Sequence, residues 1–162
     1  LVVLTWAGLI LKFDVERATQ LTAVVALGIA VGAVVAGKFV TLEKSVKVLP
    51  TGILMGFTVM SMILVNDWRI AVALLFVIGA LGGFFVVPMN ALLQHRGHLL
   101  MGAGHSIAVQ NFNENISILL LLGGYAMMVK SGLHINTITI VFGAFVSLSM
   151  WLIYHRYQRV TA

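Results

Sequence analysis

The chain has 162 residues, 60% of them hydrophobic and 9% charged, and its mean hydropathy is +1.07. A soluble domain is about 45–50% apolar and about 25% charged, so this composition excludes an ordinary soluble fold and points to a membrane protein of about five or six spans. The formal charge of +5 arises from ten Lys and Arg against five acids; they sit in small groups between apolar runs, as loop anchors do, and do not form a nucleic-acid surface. The absence of cysteine removes disulfides and thiolate metal sites.

The sequence starts inside an apolar run, LVVLTWAGLIL (1–11). Spanning a bilayer takes about 20 residues at about 1.5 Å each, so this run is expected to be the tail of a helix that starts upstream. It lacks the basic start and cleavage site of a signal peptide. KFDVER (12–17) then precedes an expected span over 19–40, TLEKSVK (41–47) one over 48–65, and NDWR (66–69) one over 70–93. After QHRGHLL (94–100) comes a segment over 102–129, and KSGLH (130–134) leads to a last span over 135–154 with a basic tail, HRYQR (155–159). The expected fold class is all-α: a polytopic membrane helix bundle of five full spans and the end of a sixth.

Alternate connections lie on one side of the membrane. One set carries Lys38, Lys44, Lys47, Arg96, Arg156 and Arg159; the other carries Lys12, Arg17, Arg69 and Lys130, with Asp14, Glu16 and Asp67 among them. Six basic residues against four place the first set, and with it the C-terminus, in the cytoplasm.

The spans differ in chemistry. Residues 48–65 and 135–153 carry no charge and are expected to face lipid. Gly28, Gly32, Ala36 and Gly37 form a small-residue seam of the kind that lets helices approach closely. The 70–93 span holds GALGG and Pro88, followed by Asn90 and Gln94 four apart; packing is the default role of such glycines, and neighbouring helices can satisfy the backbone groups that Pro frees.

The fifth expected segment is different. It reads AVQNFNENIS over 108–117 and runs directly into LLLL. At 100° per residue, Ser106, Gln110, Asn113, Glu114 and Ser117 share about 100° of arc, with Asn111 and Asn115 at least about a quarter-turn further round. Unsatisfied polar groups in hydrocarbon cost several kcal/mol each, so this face is expected to line a cavity or meet other helices. Glu114 is the only acid inside an expected span, and an intramembrane carboxylate is costly enough, at about 2.5–3.5 kcal/mol on insertion scales, to mark a functional site. Helix–helix glue is the plainer role for the amides, but interhelical hydrogen bonds average only about 0.6 kcal/mol, too little to account for the whole cluster. Gln110, Asn111, Asn113, Glu114 and Asn115 are therefore candidate cavity-lining residues, with Asn90 on the preceding span. Whether Asn111 and Asn115 widen the lining or bond a neighbouring helix is left open by the sequence.

Other patterns carry less. GAGH (102–105) follows no strand and is an ordinary Gly-rich start to a membrane helix. His95, His98 and His105 share no helical face with a carboxylate, so no metal or cofactor is expected. No catalytic triad, carboxylate pair or His-x4-Asp motif is present, so no enzyme is expected.

GGFFVVPMNALLQHRG (82–97) and GAGHSIAVQNFNEN (102–115), with VALGIAVGAVVAGKFVTLEKSVKVLPTGILMG (25–56), resemble the signature of the bacterial lysophospholipid transporters of the major facilitator superfamily. The resemblance covers nearly the whole chain. It implies the C-terminal six-helix half of a twelve-helix transporter, in which the featureless spans are the outer ninth and twelfth helices and the polar one is the cavity-lining eleventh. It also implies a multi-pass protein of the bacterial inner membrane. Such a transporter flips lysophospholipids, chiefly lysophosphatidylethanolamine, from the outer to the inner leaflet, where an acyltransferase partner re-acylates them. By this resemblance the family's polar cluster falls on Gln110, Asn111, Glu114 and Asn115, and no family role falls on Asn113. GKFVTLEK departs from the superfamily's Gly-x-x-x-Asp loop, because Thr41 stands at the acidic position. Implied partners are the lipid bilayer, the lysophospholipid and the N-terminal half. Two alternatives stay open: a cation-coupled transporter of another amphiphile, with Glu114 carrying the proton, and a non-transporting scaffold subunit whose polar helix binds a partner helix.

Overall fold

A computed structural model of the chain describes residue 5 and residues 7–9, 15–65 and 67–161. The expected partial span over 1–11 therefore lies largely outside the described residues, as do Lys12 and Asp14. The elements are α1 (Val15–Phe39), a 3-10 segment (Leu42–Val48), α2 (Leu49–Ser61) with a closing 3-10 turn (Met62–Leu64), α3 (Trp68–Met101), α4 (Ala103–Lys130) and α5 (Ile135–Thr161). Five helical segments are long and apolar enough to cross a membrane: Thr19–Phe39, Leu42–Leu64, Trp68–Met101, Ala103–Lys130 and Ile135–Arg159. No strand occurs among the described residues. The chain is an all-α, polytopic membrane helix bundle.

Local chemistry sets the helix ends. Pro50 sits in the first turn of α2, where its missing N–H costs nothing. Asp67 caps α3 by accepting a hydrogen bond from the Arg69 backbone N–H at 2.9 Å. At the end of α4 the N–H groups of Gly132 and Leu133 return to the carbonyls of Val129 and Met128 at 3.0 and 3.2 Å. This double closure needs a left-handed residue, which Gly132 supplies with φ of 73°. Between α3 and α4 there is one residue. Gly102, at φ 82° and ψ 157°, ends the first helix and starts the second; its N–H donates to His98 O and its carbonyl accepts from Ser106 N–H, both at 3.1 Å. That backbone region is essentially restricted to glycine.

Helices in lipid gain little from hydrophobic exclusion and associate through close packing. α1 and α3 do this reciprocally. A Cβ on Gly28 would collide with the Phe76 carbonyl and one on Gly32 with that of Ala80. In return, a Cβ on Gly79 would meet the Val25 carbonyl and one on Gly83 that of Ile29. Two glycine pairs spaced four apart thus face each other, and the backbones themselves are in contact. Ala36, one turn on from Gly32, is also buried. Gly37 departs from the expected seam: it is exposed, with open space around it, because one residue past Ala36 turns it about 100° off that face. α2 and α5 cross in a similar way, Gly56 against Gly143 and Ser147, with the Ser147 hydroxyl donating to Ile53 O at 3.4 Å.

α3 lies in the middle, touching α1, α2, α4 and the 3-10 segment. At one end of the bundle Ala7, Leu21, Met62, Val65, Ala71, Leu75 and Ile135 form a buried apolar cluster. α4 is held differently: Ser106 packs on Gly97 of α3 near its start, and near its end the Tyr125 hydroxyl lies 2.7 Å from that of Thr5. Every residue from 111 to 123 between them is exposed.

Three expected boundaries move. The QHRGHLL stretch is helical, and α3 continues to Met101. A 34-residue helix is about 51 Å long against a hydrocarbon core of about 30 Å, so His95, Arg96 and His98 project beyond the apolar zone without a loop. The basic tail over 155–159 is likewise the last part of α5. The 41–47 connection is mostly 3-10 helix and is docked, not free: Ser45 is fully buried and Val48 is 5% exposed.

Candidate functional site

The polar residues gather on the α3–α4 hairpin. Because Gly97 meets Ser106 and the two helices run antiparallel with equal rise, Leu93 is level with Gln110 and Asn90 with Asn113. A cavity of about 90 Å³ lies along this line, bounded by Leu93, Gly97 and Met101 on one side and Ser106, Gln110 and Asn113 on the other. The Gln110 Oε1 is buried there and has no hydrogen-bond partner. An unpaired buried acceptor costs about 1–3 kcal/mol, while the cavity is large enough for water or a small polar group, which needs at least about 10–15 Å³.

The other candidates diverge from this line. At 100° per residue, Glu114 stands about 80° round the helix from Ser106, Asn111 about 140° and Asn115 about 180°. All three are exposed, and no described residue pairs with the Glu114 carboxylate. The Asn115 amide donates to the Asn111 carbonyl at 2.8 Å, and the Ser117 hydroxyl donates to that of Asn113 at 2.8 Å. Asn115 thus bonds its own helix, neither a neighbour nor a shared cluster. Asn90 is half-buried, one turn from the cavity wall. The structure brings Gln110 and Asn113 together, sets Asn90 level with them, and leaves Glu114, Asn111 and Asn115 on an uncovered surface.

Two contributors were not anticipated. Gly97 is what lets α4 approach α3, and its place within QHRGHLL resembled a loop glycine. The Thr5–Tyr125 contact joins residues 120 apart, a separation at which no local pattern operates. Tyr125 lies about 100° round from Ser106, on nearly the same side of α4 as Glu114.

The fold and this surface define a class, a polytopic α-helical membrane protein with a polar, carboxylate-bearing face on one of its spanning helices. No family model matches the chain, and no solved structure does. Similar sequences are nonetheless clear. The chain is 48% identical over 147 residues to the lysophospholipid transporter LplT of Escherichia coli O127:H6 (strain E2348/69), covering 89% of this chain and 37% of that protein. It is 50% identical over 137 residues to the protein of the same name from Shigella flexneri serotype 5b (strain 8401), covering 85% of this chain and 35% of that one. The chain is thus similar to these lysophospholipid transporters over most of its own length, and it spans little more than a third of theirs.

Proposed function

We propose that the chain is the C-terminal membrane domain, residues 1–162, of a bacterial inner-membrane transporter of the major facilitator type. It moves lysophospholipids of the lysophosphatidylethanolamine class from the outer to the inner leaflet for re-acylation. The observation that carries this reading is the identity of about half over most of the chain with proteins named lysophospholipid transporters. The uncovered polar face of α4 supports it: a second, N-terminal half would close over that face and form the cavity between the two. The end carrying Lys38, Lys44, Lys47, Arg96, Arg156 and Arg159 is assigned to the cytoplasm, together with the C-terminus. A lysophospholipid acyltransferase is the partner that this direction of transport serves.

In this reading Gln110, Asn113 and Asn90 receive phosphate or glycerol oxygens and hydroxyls, with Asn111 and Asn115 extending the polar lining. Glu114 pairs with the headgroup ammonium. A monoacyl lipid suits such a surface, since its single chain can lie against exposed apolar residues such as Phe112, Ile116 and Leu119. The test is the full-length protein reconstituted in vesicles with Glu114→Gln, followed by lyso-lipid flipping. A loss of at least tenfold is expected; undiminished flipping would remove Glu114 from the headgroup site.

Because no described residue pairs with Glu114, a second reading has it carry a coupling proton or sodium ion. Flipping measured with and without imposed gradients separates the two, since an ammonium-binding role alone leaves the rate indifferent to them.

A further inference from the structure

Between α2 and α5 a cleft of about 300 Å³ opens outward from the bundle. Gly56 against Gly143 and Ser147 draws the two backbones together, which leaves Ala144 and Ser147 as a shallow floor. Larger side chains stand on either side of it, Ile53 and Phe57 on α2 and Leu148 and Trp151 on α5. Phe57, Leu148 and Trp151 are each at least half exposed. The Ser147 hydroxyl is turned towards Ile53 O, so the lining presents apolar surface.

This cleft lies apart from the polar surface of α4. At 100° per residue, the α5 residues that face α4 (Val141, Phe142 and Phe145) are centred about 115° round from Ala144, Ser147, Leu148 and Trp151. Along α5 the same stripe continues to His155, whose ring stacks on Trp151 with centroids 5.6 Å apart and planes 2° from parallel. Arg159 follows one turn later, about 80° round from Trp151, at the edge of the stripe. Ala144 is the midpoint of the uncharged 135–153 stretch. From Ala144 to His155 is eleven residues, about 16 Å, against about 15 Å for one leaflet of the hydrocarbon core. The cleft thus runs from the middle of the bilayer to its interface, where Trp side chains concentrate.

Charge at that interface selects the headgroup. The same end of the bundle carries Lys38, Lys44, Lys47, Arg96, Arg156 and Arg159, and Glu43 is the one acid there among the described residues. We propose that the cleft binds one acyl chain of an anionic diacyl phospholipid from the leaflet at this basic end, with Arg159 and His155 holding the headgroup phosphate. A zwitterionic lipid would bring its ammonium to an excess of cations, whereas an anionic one brings only compensating charge. Because the cleft opens onto the bilayer and away from α4, its occupant is bulk membrane lipid and not cargo of the α4 surface.

The test uses the full-length protein with Trp151 as its only tryptophan, in nanodiscs of phosphatidylethanolamine. Phosphatidylglycerol brominated on its chains is titrated in, and its quenching of Trp151 is compared with that by brominated phosphatidylethanolamine. Half-quenching is expected at a mole fraction of the anionic lipid at least about threefold lower. A second protein with Trp68 alone, at the opposite end of the bundle, is expected to show no preference. His155→Gln with Arg159→Gln is expected to abolish the preference at Trp151, and Ala144→Phe to weaken quenching by filling the floor. Equal quenching of Trp151 by the two lipids, the same preference at Trp68, or a preference that survives loss of His155 and Arg159 overturns the proposal. Stronger quenching by brominated lysophosphatidylethanolamine than by phosphatidylglycerol would also overturn it, by making the cleft a site for monoacyl lipid. So would a reductant-reversible dimer of Ala144→Cys in native membranes, on a background free of other cysteines, by showing a second copy over the cleft.

Discussion

Gly32 of α1 and Ala80 of α3 meet backbone to backbone, the Ala80 carbonyl standing where a Gly32 side chain would project. Gly83 has the same relation to Ile29 in the opposite direction. Gly32→Val or Gly83→Val must therefore push the two helices apart and forfeit contacts along the seam, at a cost of about 1–3 kcal/mol or more. Thermal unfolding of the full-length protein in detergent is expected to fall by several degrees for either variant. Gly37→Ala, which meets open space, is expected to leave the midpoint unchanged or slightly raised.

A second expectation concerns the turn between α3 and α4. Gly102→Ala places a Cβ on a residue at φ 82° and ψ 157°, a strain of about 1–3 kcal/mol. Gly104→Ala, two residues later and inside the helix with nothing near it, is expected to stabilise by about 0.5–1 kcal/mol. The opposite signs, read as shifts in unfolding midpoint, separate backbone strain from general sensitivity of the hairpin.

Gln110 offers a test in which stability and activity part company. Replacing it with Met or Leu removes a buried acceptor that has no partner, so stability is expected to hold or to rise by about 1 kcal/mol. Transport is expected to fall in the same variant, because the group that receives the substrate is gone. Paired melting and flipping measurements decide it; loss of stability together with transport would assign Gln110 a structural role.

The polar residues of α4 should also be unequal. The Asn115 amide is engaged with the Asn111 carbonyl on its own helix, whereas the Asn111 side chain and Glu114 stand exposed. Asn115→Ala is expected to reduce flipping by no more than about twofold, Asn111→Ala by more, and Glu114→Gln by most. An Asn115 effect as large as that of Glu114 would mean that its amide leaves the helix to bind substrate.

Much of this is legible in the amino-acid sequence. The spans follow from composition, and the 28–32–36 seam follows from helical spacing, which is also why Gly37 drops out of it. The α3 boundary was obscured because His95, Arg96 and His98 look like loop residues, although a helix that overshoots the hydrocarbon core can carry charge at no cost. The polar cluster is visible as a composition anomaly, and helical spacing puts Ser106, Gln110, Asn113, Glu114 and Ser117 on one face; of these, Ser106, Gln110 and Asn113 line the cavity against α3, whereas Glu114 and Ser117 stay exposed. What Asn115 does was not visible: a carboxamide four residues after a carbonyl can turn back to its own helix or outwards, and only the rotamer decides. The Thr5–Tyr125 contact was beyond reach for a different reason, since it depends on how distant helices are arranged.

The single-residue connection at Gly102 has a mechanical consequence. With no slack between them, α3 and α4 cannot slide along each other; one can only swing about the other, with Gly102 as pivot. Glu114 stands twelve residues along α4 from that pivot, an arm of about 18 Å, so each degree of swing moves it by about 0.3 Å. A small change in the angle of this hairpin is thereby magnified into displacement of the carboxylate, while Ser106, close to the pivot, hardly moves.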